Sequence, residues 1–208
     1  MIFTDRHSAG LLLLDKLSHL RGKESIILGL ARGGLVVASA LASGLGVPFD
    51  VLVVKKIPAP GESELALGAL APDGVSYVDW KFAQRLGVDE EYIKSQIRQL
   101  ADQIKQKTLI YRKRKKPINV RDKTVVIVDD GVATGATLEA AIKWTRKKHA
   151  GRIIAAMPVM PADMLGKIKP EVDELIVLQS PGEFAAVGQF YKDFPQVDDP
   201  EVVKLLAQ

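Results

Sequence analysis

Val125-Val126-Ile127-Val128-Asp129-Asp130-Gly131-Val132-Ala133-Thr134-Gly135-Ala136-Thr137 decides how this chain is read. Four consecutive β-branched apolar residues describe a strand buried on both faces. Two carboxylates stand at its end. A short loop of Gly, Ala and Thr follows. From Leu138 to Lys148 the pattern turns helical: Leu138, Ala141, Ile142 and Thr145 share a face, with Glu139, Lys143, Arg146 and Lys147 elsewhere. A strand–loop–helix unit of this kind delivers backbone N–H groups and two hydroxyls to a helix N-terminus, a natural phosphate seat. Carboxylates repel phosphate, so Asp129 and Asp130 suit the vicinal hydroxyls of a ribose or a hard cation. Both acids, at a strand end, are expected to be reached by solvent and dispensable for the fold. The loop is not a Walker A motif, because it lacks the Gly-Lys-Ser/Thr ending and carries an acid pair in front.

Working outward, Ile26–Leu30 reads as a short apolar strand, Ala31-Arg32-Gly33-Gly34 as a turn, and Leu35–Leu45 as a helix closed by Gly44 and Gly46. Phe49–Val54 is the next strand. This βαβ unit implies a parallel sheet with a right-handed crossover. Gly33 and Gly34 would let the backbone approach a ligand and adopt positive φ, and Arg32 adds charge. Alone, the turn is ordinary strand-to-helix punctuation. Beside the acid-pair loop it becomes a second chemical site, because both loops open at carboxyl ends of parallel strands. Lys55 and Lys56 follow the next strand directly, and only one of them should face a ligand.

The acid pair followed by Thr-Gly-x-Thr resembles the signature of the type I phosphoribosyltransferases. The resemblance implies an α/β fold: a parallel-sheet, Rossmann-like core flanked by helices, with a flexible β-hairpin loop, an inserted long helix and a C-terminal hood, all in one domain spanning 1–208. It implies that 5-phosphoribosyl 1-diphosphate (PRPP) binds with Mg2+. Asp129, Asp130, Gly131, Val132, Ala133, Thr134, Gly135, Ala136 and Thr137 would hold the ribose 5-phosphate, the two acids also biasing the metal. Ala31, Arg32, Gly33, Gly34, Lys55 and Lys56 would hold pyrophosphate, with Ala31–Arg32 the candidate for a non-proline cis peptide. Ala133 departs from hypoxanthine-guanine members, some of which place a carboxylate there, and leaves the base chemistry open. The core match covers roughly residues 24–58 and 120–178. The whole chain resembles a group of bacterial phosphoribosyltransferases of unassigned acceptor.

The remaining segments carry weaker signals. Asp5–Leu20 is an amphipathic helix with Leu12, Leu13, Leu17 and Leu20 on one face, ended by Gly22. Within 57–80, Asp73-Gly74 between apolar runs suggests a β-hairpin. The family's mobile loop falls here, and closing lids exclude water from an activated sugar. Glu62 and Glu64 are its acids, and Glu64 is the candidate catalytic carboxylate beside Asp129, Asp130 and Arg32. Ile93, Ile97, Leu100 and Ile104 form a helical stripe within an inserted helix of about 89–115, to pack on the sheet or a second subunit. The basic run 112–116 is expected to be solvated at the helix end and to have no part in PRPP binding. Arg152–Met157 is a strand, Ala162–Ile168 a helix and Glu174–Leu178 the last strand. Phe184, Phe190, Tyr191 and Phe194 make the 179–208 tail aromatic. Phe184, Phe190 and Tyr191 are hood candidates for stacking on a base, or else a small satellite core.

Composition bounds the answer. The chain has 208 residues, 47% hydrophobic and 26% charged, with a net charge of +4 and no cysteine. Disulfides, thiolate metal sites and a cysteine nucleophile are excluded. No stretch approaches the ~20 apolar residues of a membrane span. The expectation is a cytoplasmic, dimeric, Mg-dependent enzyme that moves a 5-phosphoribosyl group from PRPP to a nitrogenous acceptor, without membrane or nucleic-acid partners. The alternative is a PRPP-sensing regulator that binds nucleic acid through its basic patch.

Overall fold

The computed structural model describes residues 1–113 and 115–207, and of Ser63 and Glu64 the backbone alone. The signature stretch forms strand β6 (Thr124–Val128). It lies at the centre of a five-stranded parallel sheet with β1 (Ser25–Leu30), β2 (Phe49–Leu52), β7 (Arg152–Val159) and β8 (Glu174–Gln179), in the order β2-β1-β6-β7-β8. Register pairs Gly29 with Val128 and Leu30 with Leu52, so the ends of β1, β2 and β6 are brought side by side. Val125–Val128 are fully buried, as an all-apolar run between two covered faces must be.

Helices α1 (Arg6–Leu17) and α2 (Gly33–Leu45) cover one face. Leu13, Leu17, Val37 and Leu41 pack there on Ile27, Val126 and Ile154. Asp5 caps α1 in a capping box: the Ser8 amide donates to its carboxylate at 2.7 Å, and its own amide donates to Ser8 Oγ at 3.0 Å. The buried stripe of α1 is Arg6, Ala9, Gly10, Leu13 and Leu17; Leu12, expected on it, is exposed.

The other face is covered by α5 (Ala136–Lys147), and α5 is itself covered. A three-stranded antiparallel sheet, β3 (Lys55–Ala59), β4 (Glu62–Leu70) and β5 (Ser76–Val78), packs on it. The expected hairpin is present, with Leu70 opposite Ser76 across a turn at Pro72–Gly74. A second hairpin precedes it, because Lys55 and Lys56 open a new strand instead of ending β2. With two faces covered, α5 buries Glu139 and Trp144 as well as its expected stripe.

The inserted helix α4 (Glu90–Arg112) buries Ile93, Leu100 and Ile104 with Ile57 and Leu67 of the small sheet and Val202 of the last helix. Its stripe is satisfied within the chain. Among the described residues three further α-helices are α3 (Trp80–Arg85), α6 (Ala162–Ile168) and α7 (Asp199–Leu205). No helix among the described residues is long and apolar enough to cross a membrane.

Arg112 departs from the expectation of a solvated run. Its guanidinium meets the buried Asp50 carboxylate at 3.0 and 2.9 Å and donates to the Val51 carbonyl at 3.0 Å. Asp50 also accepts from the amides of Val51 and Ile118. This pair stands where a sixth strand would, and meets the outward backbone groups of edge strand β2 with side chains. Arg112 is therefore structural, and Arg114 lies outside the described residues.

Candidate active site

The strand ends converge on a cavity of about 300 Å3, lined among others by Arg32, Lys56, Asp129, Asp130, Thr134 and Thr137. Three loops meet there because β1, β2 and β6 end at one edge. Of the two lysines, Lys56 lines the cavity and Lys55 does not. The side chain of Glu64 lies outside the described residues, and Glu62 is exposed on β4.

The loop at 131–137 is defined by its hydrogen-bonding vacancies. The Val132 amide donates to Val159 O at 2.9 Å, pinning the loop to β7. Among the described residues, none of the amides of 133–137 donates to a protein group. Five free N–H groups at the N-terminus of a helix constitute an anion seat. Gly135 sits at φ +79°, the left-handed turn that swings the chain into α5, and a Cβ there would also collide with Met164. Ala133 and Thr134 are exposed and Thr137 is half-buried, so the two hydroxyls are open to a ligand.

The peptide bond Ala31–Arg32 is cis. Gly33 and Gly34 begin α2 without positive φ, contrary to the expectation; they are glycine because the turn lies directly against the acid pair. A Cβ on Gly34 would come within 2.7 Å of Asp129 Cα, and one on Gly33 would collide with the Asp130 carboxylate. Gly34→Ala is expected to destabilise by about 1–3 kcal/mol through this overpacking. A shift in the denaturant midpoint at constant slope would measure it.

Both acids are half-buried, and they differ. Asp129 accepts from the Asp130 amide at 2.9 Å. Burial, and then the neighbouring Asp130 carboxylate, push its carboxyl well above the usual carboxylate range. Asp130 is ion-paired: Arg6 Nε donates to its Oδ2 at 2.7 Å, with the side chains only 9% and 15% exposed. Asp130 is therefore paired and largely shielded, not the freely solvated acid expected. Arg6 Nη1 also donates to Pro195 O at 2.7 Å, and its guanidinium lies 3.6 Å over the Phe194 ring. Sequence reading missed Arg6. The available signal was a cation on the apolar stripe of α1, in a first turn where the helix dipole opposes it.

The tail crosses this edge as a strap. Val187 lines the cavity beside Gly131. The Tyr191 hydroxyl donates to the Asp130 carbonyl at 2.6 Å, and its phenol is pushed up by burial first and the Asp130 charge second. Asp199, at the start of α7, accepts from the Tyr111 hydroxyl at 2.7 Å, is ion-paired with Lys107, and lies 3.8 Å from Arg32. Of the three hood candidates, Phe184 and Phe190 stack on each other and belong to a satellite core with Phe3 and Ala9, so they do not line the cavity. Tyr191 joins that core and touches the site through its hydroxyl alone.

Among the described residues no group of three or more His, Asp or Glu could hold a metal by itself. With Asp130 held by Arg6, the acid pair offers few free oxygens. That donor set fits Mg2+ only in its usual mode, one or two carboxylates with a phosphorylated substrate supplying the rest.

A family model described as phosphoribosyl transferase domain matches residues 9–189. The chain belongs to the phosphoribosyltransferase family. Two Mycobacterium tuberculosis proteins, from strains CDC 1551 / Oshkosh and ATCC 25618 / H37Rv, each bear the name "Putative phosphoribosyl transferase". They are 37% identical to it over 205 residues, 99% of this chain and 46% of theirs. The chain thus spans about half the length of these curated relatives. The crystal structure of TT1426 from Thermus thermophilus is similar over 99% of this chain and 98% of that one, at 37% identity and a TM-score of 0.82. A purine phosphoribosyltransferase from Pyrococcus horikoshii shares the fold at 21% identity and a TM-score of 0.50, over 94% of this chain and 96% of that one. The parallel sheet with flanking helices is the type I phosphoribosyltransferase fold.

Proposed function

We propose that this phosphoribosyltransferase moves the 5-phosphoribosyl group of PRPP to a nitrogenous acceptor and releases pyrophosphate. The observation that carries the reading is one cavity lined by four residues of the free-amide loop (Ala133, Thr134, Gly135 and Thr137), the acid pair and two cations. The amides of 133–137 and the hydroxyls of Thr134 and Thr137 take the 5-phosphate. Asp129 accepts from the ribose hydroxyls. Arg32 and Lys56 face the pyrophosphate end.

The C1–oxygen bond breaks, its electron pair leaves on pyrophosphate, and the acceptor nitrogen forms the new bond to C1 and loses its proton. Positive charge develops on the ribose ring during this exchange, as in glycosyl transfer generally. The chain's part is to hold both partners and to place negative charge near the ring and positive charge near the leaving group. Mg2+, carried by PRPP and met by Asp129, would neutralise diphosphate charge. Val187 and the strap stand where an acceptor would enter, and Ala133 supplies no group to take its proton.

The test is a panel of nucleobases and amines with PRPP and Mg2+, scored by pyrophosphate release. Release that depends on one acceptor is expected. PRPP binding without release for any acceptor would transfer the reading to a PRPP sensor.

A further inference from the structure

A second cleft, of about 930 Å3, opens at the far end of α5 from the acid pair. Its floor is apolar, built by Val51 and Val53 at the end of β2, Ile104 of α4, Ile118, and Trp144 of α5. Its rim is cationic. The single carboxylate in the lining, Asp73, is already engaged: it accepts from Trp144 Nε1 at 3.0 Å and lies 2.8 Å from Lys148 Nζ. Lys148 and Trp144 hold its carboxyl below the usual range. Arg112 is closed against Asp50. Lys105, Arg121 and Lys147 remain, from three separate segments, and none has a carboxylate partner within 4 Å among the described residues.

The ligand can be argued from that inventory. The volume suits a small organic molecule, and apolar walls with a few convergent polar groups are the usual build of such a site. Three unpaired cations ask for several negative charges, more than one phosphate brings. The floor asks for a flat apolar body, which inorganic polyphosphate lacks. A nucleic acid would want a basic stripe open at both ends, and here the 72–74 turn, α4 and α5 bound the cleft.

We infer that this cleft binds a nucleoside di- or triphosphate, its base against Trp144 and the valines and its phosphates on Lys105, Arg121 and Lys147. The inference goes beyond the transfer reading and does not depend on it. The cleft and the acid-pair cavity share no lining residue, yet they are joined by short chain segments. Val53 lines one and Val54 the other, and α5 gives Trp144 to one and Thr137 to the other. Occupancy of the cleft would therefore reach the approach to Lys56 through one peptide unit.

The chain has two tryptophans, and the other, Trp80, is exposed on α3. In Trp80→Phe protein the emission of Trp144 alone reports on the cleft. Titration with ATP is expected to give a saturable change, with adenosine and inorganic phosphate each needing at least about tenfold more. Lys105→Ala with Arg121→Ala and Lys147→Ala should raise the ATP midpoint at least about tenfold, since each charge-assisted contact is lost. Thr134→Ala with Thr137→Ala should leave it within about twofold, because that pair belongs to the other cavity. The inference is overturned by any of three outcomes: no saturable change, an unmoved midpoint in the triple variant, or loss of the response in the threonine variant. It is also overturned if the response appears only as light scattering shows a dimer dissociating, because a second copy of the chain would then be the occupant.

Discussion

Arg6→Met is expected to cost about 3 kcal/mol of stability at pH 7, the lower end for breaking a buried ion pair because Asp130 keeps some contact with water. For a chain of this length that is a fall of roughly 6–12 °C in Tm. The physical reason is local. Asp130 stands beside a second carboxylate, and the guanidinium is the counter-charge that lets both occupy one strand end. Removing it leaves Asp130 half-buried and unpaired, and also removes the donor to Pro195 O and the cation over Phe194. Arg6→Met with Asp130→Asn should lose much less than the sum of the two single changes, because neither partner is then left charged alone. Additivity within about 0.3 kcal/mol in a double-mutant cycle would show that the pair contributes nothing.

The second large effect is on turnover. Asp129→Asn should lower the rate of pyrophosphate release about tenfold to a hundredfold, the worth of a hydrogen bond to a charged group. It should do so without unfolding the protein. A carboxyl whose pKa is raised in the folded state makes folding less favourable wherever it is ionised. Wild-type stability therefore gains from this group as pH falls through the raised pKa, and the gain is complete below the unfolded value. Asparagine carries no such penalty. Above the raised pKa the variant should melt at or above the wild-type temperature, and the gap should narrow as pH falls through it. A variant that melts well below wild type at pH 7 would mean that the charge of Asp129 is structural. A full rate of release in folded protein would remove it from catalysis.

Much of this was legible because it is local. Val125–Val128 could only be a doubly covered strand, and the loop after it could only deliver amides to a helix start. The α4 stripe was readable for the same reason, since four apolar residues at helical spacing need a surface to cover. What stayed hidden depends on pairs far apart in sequence. Arg6 and Asp130 are separated by 124 positions, and Asp50 and Arg112 by 62. Arg112 looked like one more member of a solvated run, and Glu139 like a solvated helix residue, until the small sheet covered a second face of α5. Helix α7 was missed although its signal was present: Asp198 accepts from the Glu201 amide at 2.8 Å, and Pro200 lies in the first turn. The glycines after Arg32 were located correctly for the wrong cause, because they make room for Asp129 and Asp130 and do not adopt positive φ.

The strap has a consequence for how such a protein could diverge. A new acceptor would ordinarily be gained by altering the segment that covers the sheet edge while the donor cradle stays as it is. Here the same segment is tied to the residues proposed to hold the donor: Tyr191 is bonded to Asp130, Pro195 to Arg6, and Asp199 lies near Arg32. On the proposed function, a substitution selected for the acceptor would disturb the handling of PRPP, and the two traits would be inherited together. Drift in this lineage should therefore concentrate at Val187 and its immediate neighbours, where the strap reaches the cavity without carrying a bond to the acid pair.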